Sequence, residues 1–304
     1  MNSYNNSVDG HPGIIDRLFA LLLYVLPHHL LSRLVYWITR SEWPLLKDAL
    51  IHTMIKLYDV EMGLAVESDP SQYKSFNAFF TRQLRPEVRP LSMEIETVLC
   101  PVDGAVSQAG EISNGRIFQA KGQDYSLTEL LADDEEWAKK FEDGSFATLY
   151  LSPRDYHRIH MPVNGKLRTM LHVPGRLFSV SPSTTRTVPR LFSRNERIIN
   201  LFDTEMGPVA VILVGAIFVS SMDTVWAGTI TPSSQRITQW NYPDKPTEPV
   251  TLNKGDELGR FNMGSTVILL FGKQVIEWNE RLRPGVKVRM GEEIASQPSS
   301  ETST

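Results

Sequence analysis

A chain of 304 residues with 41% hydrophobic and 22% charged residues has the length and apolar content for a substantial core. Its formal net charge of −4 argues against a nucleic-acid binder, which needs a basic excess concentrated on one face. A single cysteine, Cys100, excludes an intramolecular disulfide and a multi-cysteine zinc site, favours a reducing compartment, and reads most simply as a small buried apolar residue.

The first element is the apolar run Leu18 to Leu26, preceded by Arg17. It matches a signal peptide poorly, because no small-x-small cleavage pattern follows and Pro27-His28-His29 comes next. It is also shorter than the roughly 20 residues needed to cross a bilayer. Leu30, Leu31, Leu34, Val35, Trp37 and Ile38 recur at helical spacing and predict a second amphipathic helix. Such helices either pack on the core or lie in a membrane interface. Charge does not choose between these, since Arg17, Arg33, Arg40, Lys47 and Lys56 face Asp16, Glu42, Asp48 and Asp59. Membrane binding would therefore rest on insertion of apolar side chains more than on attraction to anionic lipid.

A third helix is predicted from a Ser41 cap, with Pro44 in its first turn, to about Tyr58. A short one is predicted over Phe76 to Leu84 after Ser75, and another opens at the capping box Ser126-Leu127-Thr128-Glu129. From Phe146 the text changes to short β-type runs broken by Gly and Pro: 147–151, 167–173, 197–202, 209–214, 224–230 and 267–271. No strand–helix alternation runs through it, so a doubly wound sheet is not expected. The fold class is α+β, a β-rich catalytic body with amphipathic amino-terminal helices. Asn241 to Pro249 reads as an exposed loop and Ser296 to Thr304 as a disordered polar tail.

Three segments carry groups suited to a self-cleaving serine: Asp103 in Pro101-Val102-Asp103-Gly104, the histidines of Tyr156-His157-Arg158-Ile159-His160-Met161-Pro162, and Gly264-Ser265-Thr266. A serine hydroxyl is a weak nucleophile until a histidine takes its proton, and a carboxylate can hold that histidine in the right tautomer. By residue type alone such a set is unspecific. The spacing His157-x-x-His160 also raises a metal site, but in an extended segment side chains three apart point to opposite faces, and no further ligand-spaced histidine lies nearby. A structural histidine in a polar pocket is the plain alternative.

Longer motifs add a resemblance. Ser152-Pro153-Arg154-Asp155-Tyr156-His157-Arg158-Ile159-His160-Met161-Pro162, Asn195-Glu196-Arg197, Val225-Trp226-Ala227-Gly228-Thr229-Ile230 and Gly259-Arg260-Phe261-Asn262-Met263-Gly264-Ser265-Thr266-Val267, in this order, closely resemble bacterial phosphatidylserine decarboxylases. The likeness runs through Ala120-Lys121-Gly122 and covers nearly the whole chain. It implies a proenzyme in which Asp103 and His160 activate Ser265, which attacks the Gly264 carbonyl and turns the amide into an ester. β-Elimination between 264 and 265 then gives a large chain, 1–264, and a small one, 265–304, whose first residue becomes a pyruvoyl group. By the same resemblance, this covalent cofactor forms a Schiff base with phosphatidylserine and accepts the electrons released as carbon dioxide leaves, His157 protonates the resulting carbon, and no metal is needed.

The resemblance further implies an amphipathic helical membrane-association segment at 1–60 and a decarboxylase domain at 61–295. The expected location is the cytoplasmic side of the cell membrane, peripherally bound, with membrane lipid as partner and homodimerisation as a further expectation. Phe76, Phe79 and Phe80 read as core more than as lipid contacts. Arg186, Arg190, Arg194 and Arg197 are candidates for the substrate phosphate, against solvated or structural roles. Met263 stands where the family commonly has Leu, and Gly215 to Met222 replaces a segment usually smaller and richer in Gly and Thr. Two other functions fit the residues: an inactive lipid-binding relative, and a serine hydrolase using Asp103, His160 and Ser265 on an external ester, although the chain lacks the Gly-x-Ser-x-Gly elbow.

Overall fold

The apolar run ending at Phe271 forms the strand Thr266–Phe271, all six residues buried, in the middle of a nine-stranded antiparallel sheet. The computed structural model describes residues 13–92, 94–219, 221–230, 236–242, 249–264 and 266–298. Thr266–Phe271 pairs with Gly207–Val214 on one side and Ser145–Tyr150 on the other, so that Thr266 lies opposite Val214 and Tyr150. Continuous burial explains its sequence: a strand covered on both faces carries no polar alternation. Outward from Gly207–Val214 come Arg197–Thr204, Gly165–Val173 and Thr238–Asn241, and Thr251–Leu252 also pairs with Gly165–Val173. Beyond Ser145–Tyr150 come Gly104–Glu111 and Lys287–Val288.

The strand Gly104–Glu111 was not expected ahead of residue 145, where the helical patterns cluster. Its entry into the sheet depends on Gly104, since a Cβ there would meet the Tyr150 carbonyl oxygen at 2.3 Å. A second sheet of four strands, Gly228–Thr229, Ser221–Thr224, Glu257–Asn262 and Arg158–His160, carries the histidine segment and the approach to Gly264. The expected single strand over 224–230 is instead a hairpin, turned at Val225 to Ala227. Smaller antiparallel sheets join Thr97–Leu99 to Glu293–Ser296 and Glu277–Trp278, and Arg116–Ala120 to Gln123–Ser126. Ser296 thus ends a strand rather than starting a tail. Residues 299–304 and 243–248, the bulk of the expected tail and loop, lie outside the described residues, as does Ser265.

Three helices precede the sheets: α1 (Ile14–Val25), α2 (His28–Arg40) and α3 (Pro44–Tyr58). Helix α3 begins with proline in its first turn, where the missing N–H costs nothing, and ends at Asp59 in the left-handed region, φ 54°. Its cap position is Trp43, not Ser41, whose hydroxyl instead accepts from the Trp43 amide at 3.3 Å. Helix α4 (Phe76–Phe80) is capped by the Ser75 hydroxyl, which accepts from the Ala78 amide. It stops four residues short of Leu84, because Leu84 is drawn off into a bridge with Ala65. The Ser126 cap holds as expected, bonding the Glu129 amide of a one-turn helix, Leu127–Leu130.

Phe76, Phe79 and Phe80 are buried with Ile51, Met54 and Val60 in a cluster of their own, and Met263 packs against it. Met263, two residues before Ser265, is thereby held against α3 and α4. Cys100 is a buried free thiol whose ionisation burial opposes, in keeping with an inert apolar role. The architecture is mixed α+β.

Candidate active site

His157 enters the site just ahead of the strand Arg158–His160, with a fully buried imidazole. Its Nδ1 lies 2.8 Å from the Asp155 carbonyl oxygen. A carbonyl only accepts, so Nδ1 carries the proton and Nε2 presents a lone pair. Nε2 is buried without a hydrogen-bond partner and points at the chain where the cut is expected: a Cβ on Gly264 would stand 3.2 Å from it. A side chain at 264 would press on the imidazole, which would have to give by a few tenths of an ångström. The Phe80 ring packs on the imidazole with centroids 4.1 Å apart, and burial holds the His157 pKa down to about 3. The ring is therefore neutral throughout the physiological range.

The backbone leading to the bond is fixed on both sides. Asn262 donates to the Ser221 hydroxyl at 2.8 Å and to Asp223 at 2.9 Å, and accepts from Asn77 at 2.9 Å. Met263 adopts φ 99°, which side chains other than glycine rarely take, and its side chain is held in the α3–α4 cluster. Thr266, the second residue after the expected cut, has a buried hydroxyl with no partner among the described residues. An unpaired lone pair and an unpaired hydroxyl thus flank the Gly264–Ser265 position, an arrangement costly in a core and useful where a polar group is processed.

His160 lies elsewhere in the same segment. Its Nδ1 is 2.7 Å from the Gly255 carbonyl oxygen and its Nε2 is 3.0 Å from the Tyr156 hydroxyl, and burial lowers its pKa. Asp103 is not its orienting partner. The Asp103 carboxylate binds the Arg89 guanidinium on both oxygens and accepts from the Met290 amide, so it acts on His160 only as a nearby negative charge. The structure brings His157 to Gly264 and, among the described residues, gives Asp103 and His160 hydrogen-bond partners other than each other. The two histidines take different partners, His157 lying just outside the strand that carries His160, and among the described residues no group of three or more metal-binding side chains assembles.

A family model described as phosphatidylserine decarboxylase matches residues 76–296, and one described as PSD matches residues 18–59. Similar curated proteins carry the name phosphatidylserine decarboxylase proenzyme. One from Pseudomonas aeruginosa is 54% identical over 282 residues, covering 92% of this chain and 97% of its own. Those from Shewanella baltica and Azotobacter vinelandii are each 52% identical, covering 93% and 92% of this chain and 97% and 98% of their own. The chain belongs to the phosphatidylserine decarboxylase family.

In this phosphatidylserine decarboxylase family member the basic cluster singled out by sequence is structural. Arg197 is buried, and its guanidinium donates to the carbonyls of Leu130, Ser193, Asn195 and Glu129. Arg190 pairs with Glu129, Arg186 lies 3.7 Å from Asp16, and Arg194 donates to the Tyr24 hydroxyl. The residues that sequence reasoning missed are those whose partners are remote: Arg89 on Asp103, Tyr156 and the Gly255 carbonyl on His160, and Phe80 on His157. Tyr156 carried a signal within the motif itself, four residues before His160.

Proposed function

We propose that this chain is a self-processing, pyruvoyl-dependent phosphatidylserine decarboxylase that works at a membrane surface. The observation that carries the reading is the unpartnered Nε2 of His157 against Gly264. In processing, the Ser265 hydroxyl attacks the Gly264 carbonyl carbon, the amide nitrogen is released as an amine, and elimination of the resulting ester frees the carboxylate of Gly264. The alkene left at 265 takes up water and loses ammonia, giving the ketone. His160, with Asp103 as a nearby charge, is the base assigned to Ser265, and its Nε2 must exchange the Tyr156 hydroxyl for that of the serine.

The buried lone pair and the absence of a Cβ at Gly264 suit a carbonyl-bearing group at position 265. When formed, the pyruvoyl ketone supplies an electron sink for the pair left behind as carbon dioxide departs. His157 does the proton work beside it. Being neutral, Nε2 can accept a proton shed by the substrate ammonium and return it to the carbon that lost its carboxylate, so that a C–H bond replaces the C–C bond. The Phe80 ring packs against that imidazole. The hydrolase alternative is disfavoured because Met263 and Val267 stand where a Gly-x-Ser-x-Gly elbow around Ser265 would need glycine.

Membrane association is supported by helices α1 and α2, whose apolar side chains face outward. Ile14, Leu18, Leu21, Leu22 and Val25 share one exposed face of α1, and Leu30, Leu34, Trp37 and Ile38 share one of α2, with Trp37 74% exposed. No single described helix is long and apolar enough to cross a membrane, and α1 and α2 meet at 85°. Lying amphipathically in the interface is the geometry that buries these faces while a two-tailed substrate stays in its bilayer. In this reading residues 1–60, of which 13–60 are described, are the membrane-association segment and 61–295 the decarboxylase domain, peripherally bound at the cytoplasmic side of the cell membrane; the exposed faces of α1 and α2 support the membrane association.

Purified wild-type protein is expected to run as two fragments, 1–264 and 265–304, the smaller lacking a free amino terminus by mass spectrometry, and to release carbon dioxide from phosphatidylserine. An intact, inactive wild-type chain refutes the proposal. For the membrane arm, replacing Leu30, Leu34 and Trp37 together with serine in the full chain should abolish most flotation with phosphatidylcholine vesicles while leaving fragment formation intact. Unchanged flotation would exclude α2 as the anchor.

A further inference from the structure

Arg82 follows α4 and is buried, only 5% exposed. Its Nη2 donates to the Arg154 carbonyl at 3.0 Å, its Cζ lies 5.4 Å from the centre of the Phe79 ring, and its Nε and Nη1 are buried with no hydrogen-bond partner. The carboxylates nearest to it are already committed. Asp103 holds Arg89 and the Met290 amide, and Asp155 accepts from both the amide and the hydroxyl of Ser152 at 2.7 Å. A guanidinium does not shed its proton at neutral pH. Buried cations in folded proteins are paired and their N–H groups satisfied, so one with two unused nitrogens is a site short of its anion.

Arg82 lines an open cleft of about 290 Å³ with Asp103, Asp155 and Tyr156 among its walls. The cleft adjoins both histidines, for the Asp155 carbonyl orients His157 and the Tyr156 hydroxyl bonds His160. Five cations, Arg82, Arg89, Arg154, Lys287 and Arg289, face four carboxylates there. Of the buried cations in the cleft, Arg89 is neutralised by Asp103 and Arg82 is not.

We propose that Arg82 is the oxyanion-binding residue of the substrate site, receiving an acidic group of the phospholipid headgroup on Nε and Nη1. The identity of the ligand rests on the decarboxylase reading, and that headgroup offers two oxyanions, a phosphate and a carboxylate. Guanidinium geometry suits either. The product keeps the phosphate and lacks the carboxylate, which separates the two sources.

The test uses the full-length processed protein. Inorganic phosphate or acetate, at ionic strength matched with chloride, is expected to raise the thermal midpoint of the wild type and to leave that of Arg82→Gln unmoved. With dihexanoyl phosphatidylserine, Arg82→Gln should still form both fragments but raise KM by about 10-fold or more, as expected for loss of a charged hydrogen bond, with kcat less affected and Arg82→Lys partly restoring KM. Parallel weakening of inhibition by dihexanoyl phosphatidylethanolamine assigns the phosphate, and unchanged inhibition assigns the carboxylate. A processed Arg82→Gln enzyme with wild-type KM and anion response overturns the proposal. So does a wild type that responds to neither anion, a result that stands even if the variants do not fold. Should the wild type prove unable to decarboxylate, the anion response still reads Arg82 independently.

Discussion

Ser265→Ala is expected to leave the chain whole, a single band at 34.4 kDa on a denaturing gel where the wild type gives two. Without the hydroxyl there is no nucleophile to turn the amide into an ester, and an ordinary peptide bond does not open on its own. The effect is all-or-none, because the same residue supplies both the hydroxyl that opens the chain and the carbon skeleton of the ketone. The protein should remain folded: the strand that follows, Thr266–Phe271, keeps its pairing on both sides whatever occupies position 265. A variant that still divides at this bond would remove Ser265 from the mechanism altogether.

His157→Ala should divide on schedule yet lose turnover by about 10²- to 10⁴-fold, the range carried by a well-placed acid–base group. Fragment formation and carbon dioxide release, measured on one preparation, separate the two roles. If division also stops, His157 and not His160 is the base for Ser265, which its position against Gly264 would permit. The pH dependence sharpens the assignment. Burial lowers the His157 pKa from 6.5 to about 3, so the free enzyme's imidazole does not change charge between pH 5 and 8. The kcat/KM profile is therefore expected to lack a limb from this group there, and a limb near pH 6.5 that vanishes in His157→Ala would contradict the buried, neutral state. Stability follows the same sign: the unfolded chain takes up a proton at His157 as pH falls through 6.5, the folded one resists until about 3, and stability contributed by the neutral ring is lost across that window.

What could be read from sequence was local. The six-residue apolar run became a strand buried on both faces, Ser75 and Ser126 capped helices as their offsets required, and Pro44 opened α3. The parity expected of an extended segment weakened the metal reading of His157 and His160. What could not be read were contacts between distant segments. Asp103 meets Arg89 and Met290, the latter 187 positions away, and His160 meets Gly255, 95 away. Nothing in the local alphabet distinguishes a carboxylate that orients a histidine from one that neutralises an arginine. The same limit misdirected the anion site: a visible run of arginines at 186–197 proved to be bound by carbonyls, carboxylates and a tyrosine, whereas Arg82, unremarkable in sequence, is the buried cation left unpaired. Met263, an apparently neutral exchange, sits at φ 99° beside the bond, and only the fold shows that the α3–α4 cluster holds it there.

The position of Thr266–Phe271 at the centre of the sheet would make the proposed cut between 264 and 265 a one-way passage. Before the cut, that strand is tethered to its neighbours Gly207–Val214 and Ser145–Tyr150, and folding is a first-order event within one molecule. After the proposed cut the middle of the sheet would belong to a separate 265–304 peptide, held among the described residues by four ladders, two on Thr266–Phe271, one from Lys287–Val288 to Gly104–Glu111 and one from Glu293–Ser296 to Thr97–Leu99, but by no covalent link across 264–265. Recovery from denaturation then becomes a bimolecular encounter whose yield falls on dilution, and the mature enzyme persists by slow unfolding rather than by ready renewal.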